Sequence, residues 1–374
     1  MAKDKKDSGI DIESVKTIMS VGSDFCFVFG DDDCDEQMTS TYHYSTGLTV
    51  VDAIIGEGGF GSGKISEVYG ANRSGKSELA QRTMEHFLTH YPSGLGVYFD
   101  EETSLDDKKM AQSPVFRSGR LLVKKSENME AAFNSIIKMM EYLIKGKIDQ
   151  PVLIVFDSVA AMATKEEMAN DLGKVVVAGQ ARVLSMALRK IRGMIRKTNA
   201  HILFINQTRN KVGGMSFGSN IESACGEALK FYSDYRLKLS NLGSYRFGKG
   251  GAPDGYKIQV KTVKNKRVAP LKEVNVPLLF HSFGDPQSGF SEIWSVYDMA
   301  KEHALIKVTG GNARLKGAAK EDTFKRPQWP DKFKAESPDI RAVMMDLCNS
   351  IMVSNAASDD DEEEDAGKAK QASD

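Results

Sequence analysis

Four residues at a fixed spacing point to the chemistry of this chain. Gly70 and Gly75, with Lys76 and Ser77 directly after them, complete the pattern G-x-x-x-x-G-K-S within YGANRSGKSE. Glycines at these positions let successive backbone N–H groups turn toward one point at the start of a helix, where an anion is favoured. We therefore expect a phosphate-binding loop for a nucleoside triphosphate, formed by Gly70, Ala71, Asn72, Arg73, Ser74, Gly75, Lys76 and Ser77.

The segments on either side of the loop support this interpretation. KISEVY precedes it and alternates as a strand does, and SELAQRTMEHFLTHY follows it with helical character. In that order Lys76 reaches the terminal phosphates, and Ser77 binds the Mg²⁺ that bridges them. A glycine-rich turn without chemical purpose is the alternative, which the strand–loop–helix order disfavours.

Polar side chains end three further apolar segments. GVYFDEE ends in Glu102, VLIVFDS contains Asp157, and HILFINQ ends in Gln207. In doubly wound sheets, ligands gather at the carboxyl ends of the strands. We expect Asp157 to serve Mg²⁺, Glu102 to polarise the attacking water and Gln207 to sense the terminal phosphate. Alternatively, each is a polar residue that faces solvent at the end of a strand.

The order of apolar segments predicts an α/β fold with a mixed, mainly parallel sheet. KISEVY, LGVYFD, PVLIVFD and AHILFIN alternate with helical segments, whereas DYRLKLS, YKIQVKTVK and VNVPLLF follow each other across short turns. Alternation with helices implies parallel strands covered on both faces, and short turns imply an antiparallel extension. We divide the chain into an N-terminal arm (1–45), a nucleotide-binding core (46–285), a small helical C-terminal module (286–355) and a disordered acidic tail (356–374).

Composition excludes several classes of protein. The 374 residues carry a formal net charge of −1, yet acid collects in the tail block DDDEEED and base in the middle of the chain. No apolar run is long enough for a membrane span, and the charged start MAKDKKDSGID is unlike a signal peptide. The cysteines are scattered, which favours a reduced, cytoplasmic compartment. The tail either adds solubility or competes with DNA for the basic body.

A basic row lies on the predicted helix AGQARVLSMALRKIRGMIRK. Arg182, Ser185, Arg189, Arg192 and Arg196 recur at steps of three and four, opposite an apolar face, and the segment contains no acid. Solvated helix faces usually mix charges of both signs. The row therefore suits a nucleic-acid backbone, with its first part, Arg182 to Arg189, as the better candidate. A solvent-facing helix surface that is basic by chance is the alternative.

Several motifs, in one order, resemble the core of the RecA-type recombinases. They are STGLTVVDAIIGEGGFGSGKISEVYGANRSGKS, YFDEETSLD, LIVFDSVAAM, ILFINQTRNKVG, GEALKFYSDYRL and TVKNKRVAPLKE, and they run from about residue 45 to about residue 280. DPQSGFSEIWSVYDMAKEHALI continues the likeness and is similar to phage UvsX-type versions. The resemblance implies a RecA-like fold, ATP and Mg²⁺ as cofactors, DNA-stimulated ATP hydrolysis, helical filaments on single-stranded DNA, homologous pairing and strand exchange.

The resemblance also implies roles for individual residues. Glu102 would activate water, Asp157 would serve Mg²⁺, and Gln207 would couple the terminal phosphate to a DNA-binding loop that spans roughly residues 206–226. A second DNA-binding loop would fall near residues 165–177. The predicted DNA-binding residues are Arg182, Ser185, Arg189, Arg209, Lys211 and Gly226.

Two lysines in VKNKRVAP, Lys264 and Lys266, match family residues that reach the ATP of the neighbouring subunit, which would place the ATP site at a subunit interface. Alternatively, they are exposed lysines at the end of a strand. The chain departs from the family at two places. LDDKKMAQSP lacks the tyrosine that commonly stacks on adenine, and Cys225 replaces the first of two adjacent glycines, which leaves Gly226.

The sequence thus predicts an ATP-dependent recombinase with single-stranded DNA, homologous duplex DNA and further copies of itself as partners, together with single-strand-binding and loader proteins. A cytoplasmic location in a bacterial or phage-infected cell is expected. A ring-forming DNA motor of the same fold is the alternative, although such motors usually carry a separate N-terminal domain. A small-molecule kinase would need an acceptor pocket and an Arg-rich lid, and no segment of the sequence has that pattern.

Overall fold

A computed structural model of the chain describes residues 41–56, 58–105, 113–171, 179–210, 221–223, 227–247, 251–280, 289–319 and 323–334. Its strands are β1 (His43–Tyr44), β2 (Phe60–Gly61), β3 (Lys64–Gly70), β4 (Leu95–Asp100), β5 (Leu121–Lys124), β6 (Val152–Asp157), β7 (Ala200–Asn210), β8 (Ile221–Ser223), β9 (Tyr235–Tyr245), β10 (Gly255–Asn265), β11 (Glu273–Leu279), β12 (Gly289–Phe290), β13 (Ile306–Thr309), β14 (Asn312–Leu315) and β15 (Phe324–Lys325). Its helices are α1 (Thr49–Ile55), α2 (Lys76–His90), α3 (Met129–Lys145), α4 (Lys165–Ala169), α5 (Gly179–Ile195), α6 (Ala228–Tyr232), α7 (Glu292–Glu302) and α8 (Trp329–Lys334).

One large mixed sheet dominates the described part of the chain, in the order β12-β11-β10-β9-β3-β7-β6-β4-β5, with β8 on β7. The six strands from β9 to β5 run parallel, and β10, β11 and β12 add to β9 as antiparallel neighbours. The predicted parallel core with an antiparallel extension is therefore confirmed. The strands and helices begin and end within a few residues of the predicted segments, because the apolar periods of two and 3.6 are clear there.

Helices cover both faces of the parallel strands, because side chains along each strand alternate between two separate apolar cores. Val68 of β3 packs with α2 residues such as Phe87 on one face, and Ile65 of the same strand packs with α3 and α5 on the other. Residues buried on both faces explain why these strands appear in the sequence as nearly continuous apolar runs.

An aromatic row lies directly beneath the strand ends that carry the candidate site. Phe99, Phe156 and Phe204 are register partners on β4, β6 and β7, and their rings stack with centroids 4.4 and 5.1 Å apart. Offset stacking of this kind adds to the free energy gained from burial. These stacked rings help to hold the three strands in register, so that the polar residues that follow them come together at one edge of the sheet.

The C-terminal module, which the sequence predicts to be mainly helical, also contains strands in its described part. Between residues 289 and 334 the described residues form α7, a three-stranded antiparallel sheet of β13, β14 and β15, and the short α8. The sheet strands were missed because they are only two to four residues long, and half of their residues are exposed. At the other boundary, Tyr44 of the predicted N-terminal arm is fully buried in the core. Within the described residues no helix combines the length and the hydropathy that crossing a bilayer would require.

Candidate functional site

The predicted phosphate loop connects β3 to α2. Gly75 has φ 86°, and a Cβ there would lie 2.7 Å from Phe290 Cζ of the antiparallel extension. A Cβ on Gly70 would lie 2.3 Å from the backbone oxygen of Leu239. Both positions therefore require glycine, one through its conformation and the other through close packing. The first N–H groups of α2 have no partner within the helix, and they are available to an anion.

Lys76 is the first residue of α2, and its side chain folds back over the loop. Its Nζ donates a hydrogen bond of 2.9 Å to the backbone oxygen of Ala71. Burial lowers the pKa of Lys76, and the carboxylates of Glu102 and Asp157 oppose that decrease. The ammonium group therefore lies where phosphate groups would meet it, close to both carboxylates that the sequence analysis selected.

Asp157 ends β6 and is completely buried. Its Oδ2 accepts hydrogen bonds from Tyr98 Oη at 3.0 Å and Ser104 Oγ at 2.8 Å. Its Oδ1 is buried and has no hydrogen-bond partner of good geometry among the described residues. Burial raises the pKa of Asp157, whereas the hydroxyls of Ser77, Ser104 and Tyr98 oppose the rise.

This environment fits a hard divalent cation. A buried carboxylate oxygen without a donor, next to the Ser77 hydroxyl, supplies the oxygen ligands that Mg²⁺ prefers. The described residues contain no cluster of three or more His, Cys, Asp or Glu side chains that could hold a metal alone. That is compatible with Mg²⁺, which usually keeps water and phosphate ligands in such sites.

Glu102 follows β4, and its side chain is exposed. Its Oε1 accepts a hydrogen bond from Ser158 Oγ and another, of 2.9 Å, from Gln207 Nε2. The structure thus brings together the ends of β4, β6 and β7, as the sequence analysis expected for Glu102, Asp157 and Gln207. The peptide bond between Asp157 and Ser158 is cis.

The neighbouring acids are engaged in local structure instead. Asp100 accepts hydrogen bonds from the backbone N–H groups of Ser104 and Leu105, which closes the turn after β4. Glu101 accepts one from the backbone N–H of Ser126, and burial raises its pKa. Among the three consecutive acids, Glu102 is therefore the one that faces both Lys76 and Gln207.

Sequence analysis missed a buried network that supports the end of β7. Glu67 of β3 is fully buried and accepts hydrogen bonds from Asn206 Nδ2 at 2.9 Å and Arg236 Nε at 2.6 Å. The Arg236 guanidinium also lies 4.6 Å from the centre of the Tyr69 ring. A charged residue inside the apolar strand KISEVY was the signal, since buried acids need a partner. The network holds Asn206, and therefore the backbone before Gln207, in place.

The basic row on α5 divides into two parts. Arg182 and Arg189 are exposed and Ser185 is half-buried, and Arg182 makes a long ion pair of 3.7 Å with Glu166 of α4. Arg192, in contrast, is engaged inside the fold. It makes two hydrogen bonds to the buried carboxylate of Asp234, which precedes β9.

The DNA-loop predictions fall mainly outside the described residues. Lys211 and Gly226 lie there, and so do residues 172–177 of one predicted loop and residues 211–220 and 224–226 of the other. Arg209 lies in β7, where it is the register partner of Glu222 in β8.

Lys264 and Lys266 lie away from the phosphate loop of their own chain. Lys264 is the register partner of Arg236, which in turn pairs with Glu67, three residues before Gly70 on β3. At about 3.3 Å per residue, Lys264 is about 10 Å below the phosphate edge, and it lies two strands to the side. Its Nζ donates to the backbone oxygens of Lys230 and Phe231 at the end of α6, and Lys266 Nζ lies 3.5 Å from Asp234.

Comparison with known proteins agrees with this geometry. The family model described as RecA N-terminal domain matches residues 16–284. Protein RecA of Aquifex pyrophilus is 31% identical over 316 residues, which are 82% of this chain and 85% of the relative. Protein RecA of Aquifex aeolicus is 36% identical over 286 residues (75% and 77%), and that of Deinococcus radiodurans is 33% identical over 320 residues (83% and 81%). Because the family model covers most of the chain and these relatives, each more than 30% identical, match over more than three-quarters of their length, this chain belongs to the RecA family of recombinases.

Proposed function

We propose that the chain is an ATP-dependent recombinase that forms helical filaments on single-stranded DNA and promotes homologous pairing and strand exchange. The observation that supports this most directly is the convergence of Lys76, Asp157, Glu102 and Gln207 at one edge of the sheet, in a chain of the RecA family. Family membership supports nucleotide binding, single-stranded DNA binding and filament formation. The comparisons give no support to the ring-forming motor.

Each of a few groups at this site has a separate role in ATP hydrolysis. The loop backbone from Gly70 to Ser77 and the ammonium of Lys76 bind the phosphates and oppose their negative charge. Ser77 and Asp157 would hold Mg²⁺, which neutralises charge that develops on the phosphates. Glu102 takes the proton of the attacking water as that water adds to the terminal phosphorus. Its exposed carboxylate, anchored through Oε1, has access to such a water.

Gln207 is suited to couple nucleotide to DNA. Its backbone follows Asn206, which the buried network with Glu67 holds rigidly, while its side chain is only half-buried and reaches Glu102. β7 continues past it to Asn210, within the predicted DNA loop of residues 206–226. A change in the partner of the Gln207 amide therefore acts on the strand that leads into that loop.

Geometry favours an ATP site shared between subunits. Lys264 and Lys266 face away from their own phosphate loop, on the side of the sheet where α6 ends. Phe231, beside Lys264, is 73% exposed, and aromatic residues are enriched at protein interfaces. We propose that this surface meets the phosphate edge of the neighbouring subunit in the filament, with both lysines directed at its ATP.

DNA contacts are assigned to the exposed residues of α5 and to the predicted loops. The positions are Arg182, Ser185, Arg189, Arg209, Lys211 and Gly226. Charged contacts of this kind neutralise phosphates without reading sequence, as a search for homology on any single strand requires. Homologous duplex DNA, single-strand-binding proteins and loader proteins complete the proposed partners, in the cytoplasm of a bacterial or phage-infected cell.

Strand exchange and electron microscopy test this proposal together. With ATP, Mg²⁺ and single-stranded DNA, the protein should form helical filaments and transfer a strand only into a homologous duplex. A heterologous duplex of equal length and composition is the matched control. Closed rings, or DNA unwinding without regard to homology, would contradict the proposal and favour a motor.

A further inference from the structure

The hydroxyl of Ser158 makes a hydrogen bond that is unusual for a serine in its position. Ser158 is fully buried and precedes the short 3₁₀ turn Val159–Ala161, in the N-cap position. A serine there usually accepts a hydrogen bond from the turn, yet its side chain makes no capping bond. Instead, Ser158 Oγ donates to Oε1 of Glu102 on the neighbouring strand end.

Two donors from different strands converge on one oxygen of Glu102. Ser158 Oγ and Gln207 Nε2 both donate to Oε1, and neither hydrogen bond involves Oε2. The two donors differ in solvent exposure, because Ser158 is buried whereas Gln207 is half-buried. The backbone is also tied at this point, since the N–H groups of Glu101 and Glu102 donate to the oxygen of Asp157 at 2.8 and 3.2 Å.

We propose that Ser158 is a positioning residue that holds the Glu102 side chain through Oε1 and so presents Oε2 to the attacking water. This inference rests on the proposed role of Glu102 as the general base. Because Ser158 is buried, its contact persists when the Gln207 amide turns to another partner. In the step, a water proton moves to Glu102 Oε2 and the water oxygen bonds to the terminal phosphorus. The bond from phosphorus to the bridging oxygen breaks, ADP leaves, and Ser158 keeps its proton.

Ser158→Ala removes the hydroxyl and keeps the rest of the side chain. We expect kcat for DNA-stimulated ATP hydrolysis to fall about tenfold, which corresponds to about 1.4 kcal/mol, while KM for ATP changes less than about twofold. Ser158→Cys keeps the volume with a weaker donor and should give an intermediate rate, and Ser158→Thr should restore part of the loss. Ser295→Ala is the matched control, because Ser295 is equally buried and donates only within α7, to the Ser291 oxygen.

The decisive measurement combines Ser158→Ala with Glu102→Gln and follows single-turnover hydrolysis. If Ser158 acts through Glu102, its replacement should not slow the residual reaction of the Glu102→Gln protein further. An unchanged kcat in Ser158→Ala, or an equal fold-loss in both backgrounds, would overturn the inference. An inactive Glu102→Gln beside a normal Ser158→Ala would overturn it and leave the proposed function intact. A fully active Glu102→Gln would instead remove the general base itself.

Discussion

Arg192→Ala should destabilise the fold, although Arg192 lies in the same basic row as residues assigned to DNA. The Arg192 and Asp234 side chains are 15% and 4% exposed and share two hydrogen bonds. Removing one partner of a buried pair costs about 3–5 kcal/mol. Asp234 keeps the backbone N–H of Ile65 at 3.1 Å and the more distant Lys266. Because these partners remain, we expect a loss at or just below the lower limit of that range, about 2–3 kcal/mol.

The assay is urea denaturation of the variant beside a control from the same helix face. Arg189→Ala removes an exposed arginine three residues earlier and should change the free energy of unfolding by less than about 0.5 kcal/mol. It should instead weaken single-stranded DNA binding and lower the slope of log affinity against log salt by roughly 0.7. Arg192→Ala should leave that slope unchanged under conditions where the protein is folded.

Acid gives a second readout of the same pair. Burial alone would raise the pKa of Asp234. The hydrogen bonds and charge of Arg192, together with the Ile65 N–H and the charge of Lys266, more than offset that rise, so the pKa lies below its ordinary value. A lowered folded-state pKa contributes stability above the unfolded pKa of about 3.9, which is lost as pH falls through the folded value. The difference between wild type and variant should therefore be constant near neutral pH and shrink below about pH 4. An Arg192→Ala protein that unfolds like wild type but binds DNA like Arg189→Ala would refute this division of the row.

Three further predictions concern ATP binding, the ATP site shared with the neighbouring subunit, and the acidic C-terminal tail. Gly75→Ala should abolish ATP binding, as measured with a fluorescent nucleotide. An alanine is strained at φ 86°, and its Cβ would also strike the buried ring of Phe290. Retained affinity would show that ATP binding does not depend on this loop geometry. Replacing Lys264 and Lys266 by Ala should spare ATP binding by single subunits but reduce DNA-stimulated turnover, and mixing that protein with Lys76→Ala should recover some activity. If no mixing ratio does so, the shared site is wrong. Truncation after Asn355 should tighten duplex binding at low salt, with a gain that fades as the Debye length shortens from about 10 Å at about 0.1 M to about 3 Å at about 1 M; identical salt curves would leave the tail as a solubilising segment.

The positions of the site residues could be predicted from sequence because they follow from strand order. Asp157 and Gln207 come directly after or at the end of apolar segments, and parallel strands bring such ends to one edge. The phosphate loop could be predicted from its own residue pattern, together with the period of two in the strand before it and the period of 3.6 in the helix after it. These features are local, so that one sequence suffices to find them.

The remaining contacts depend on register between distant segments. Nothing in the local sequence shows that Glu67 meets Asn206 and Arg236, or that the Ser158 hydroxyl leaves its own turn for Glu102. The helical period of α5 likewise placed Arg192 in the DNA-facing row, because periodicity gives the face but not the partner across it. That partner, Asp234, lies 42 residues further along the chain, after β7, β8 and α6.

We propose that Glu102 activates the water that hydrolyses ATP, and that it does so in response to single-stranded DNA bound by the same filament. The most direct measurement is phosphate release by wild-type protein and by Glu102→Gln, each with and without single-stranded DNA. We predict that DNA strongly stimulates phosphate release by the wild type. Glu102→Gln should show almost no turnover, yet it should still bind ATP and form more persistent filaments. Hydrolysis by Glu102→Gln at the wild-type rate, or wild-type hydrolysis that ignores DNA, would contradict it.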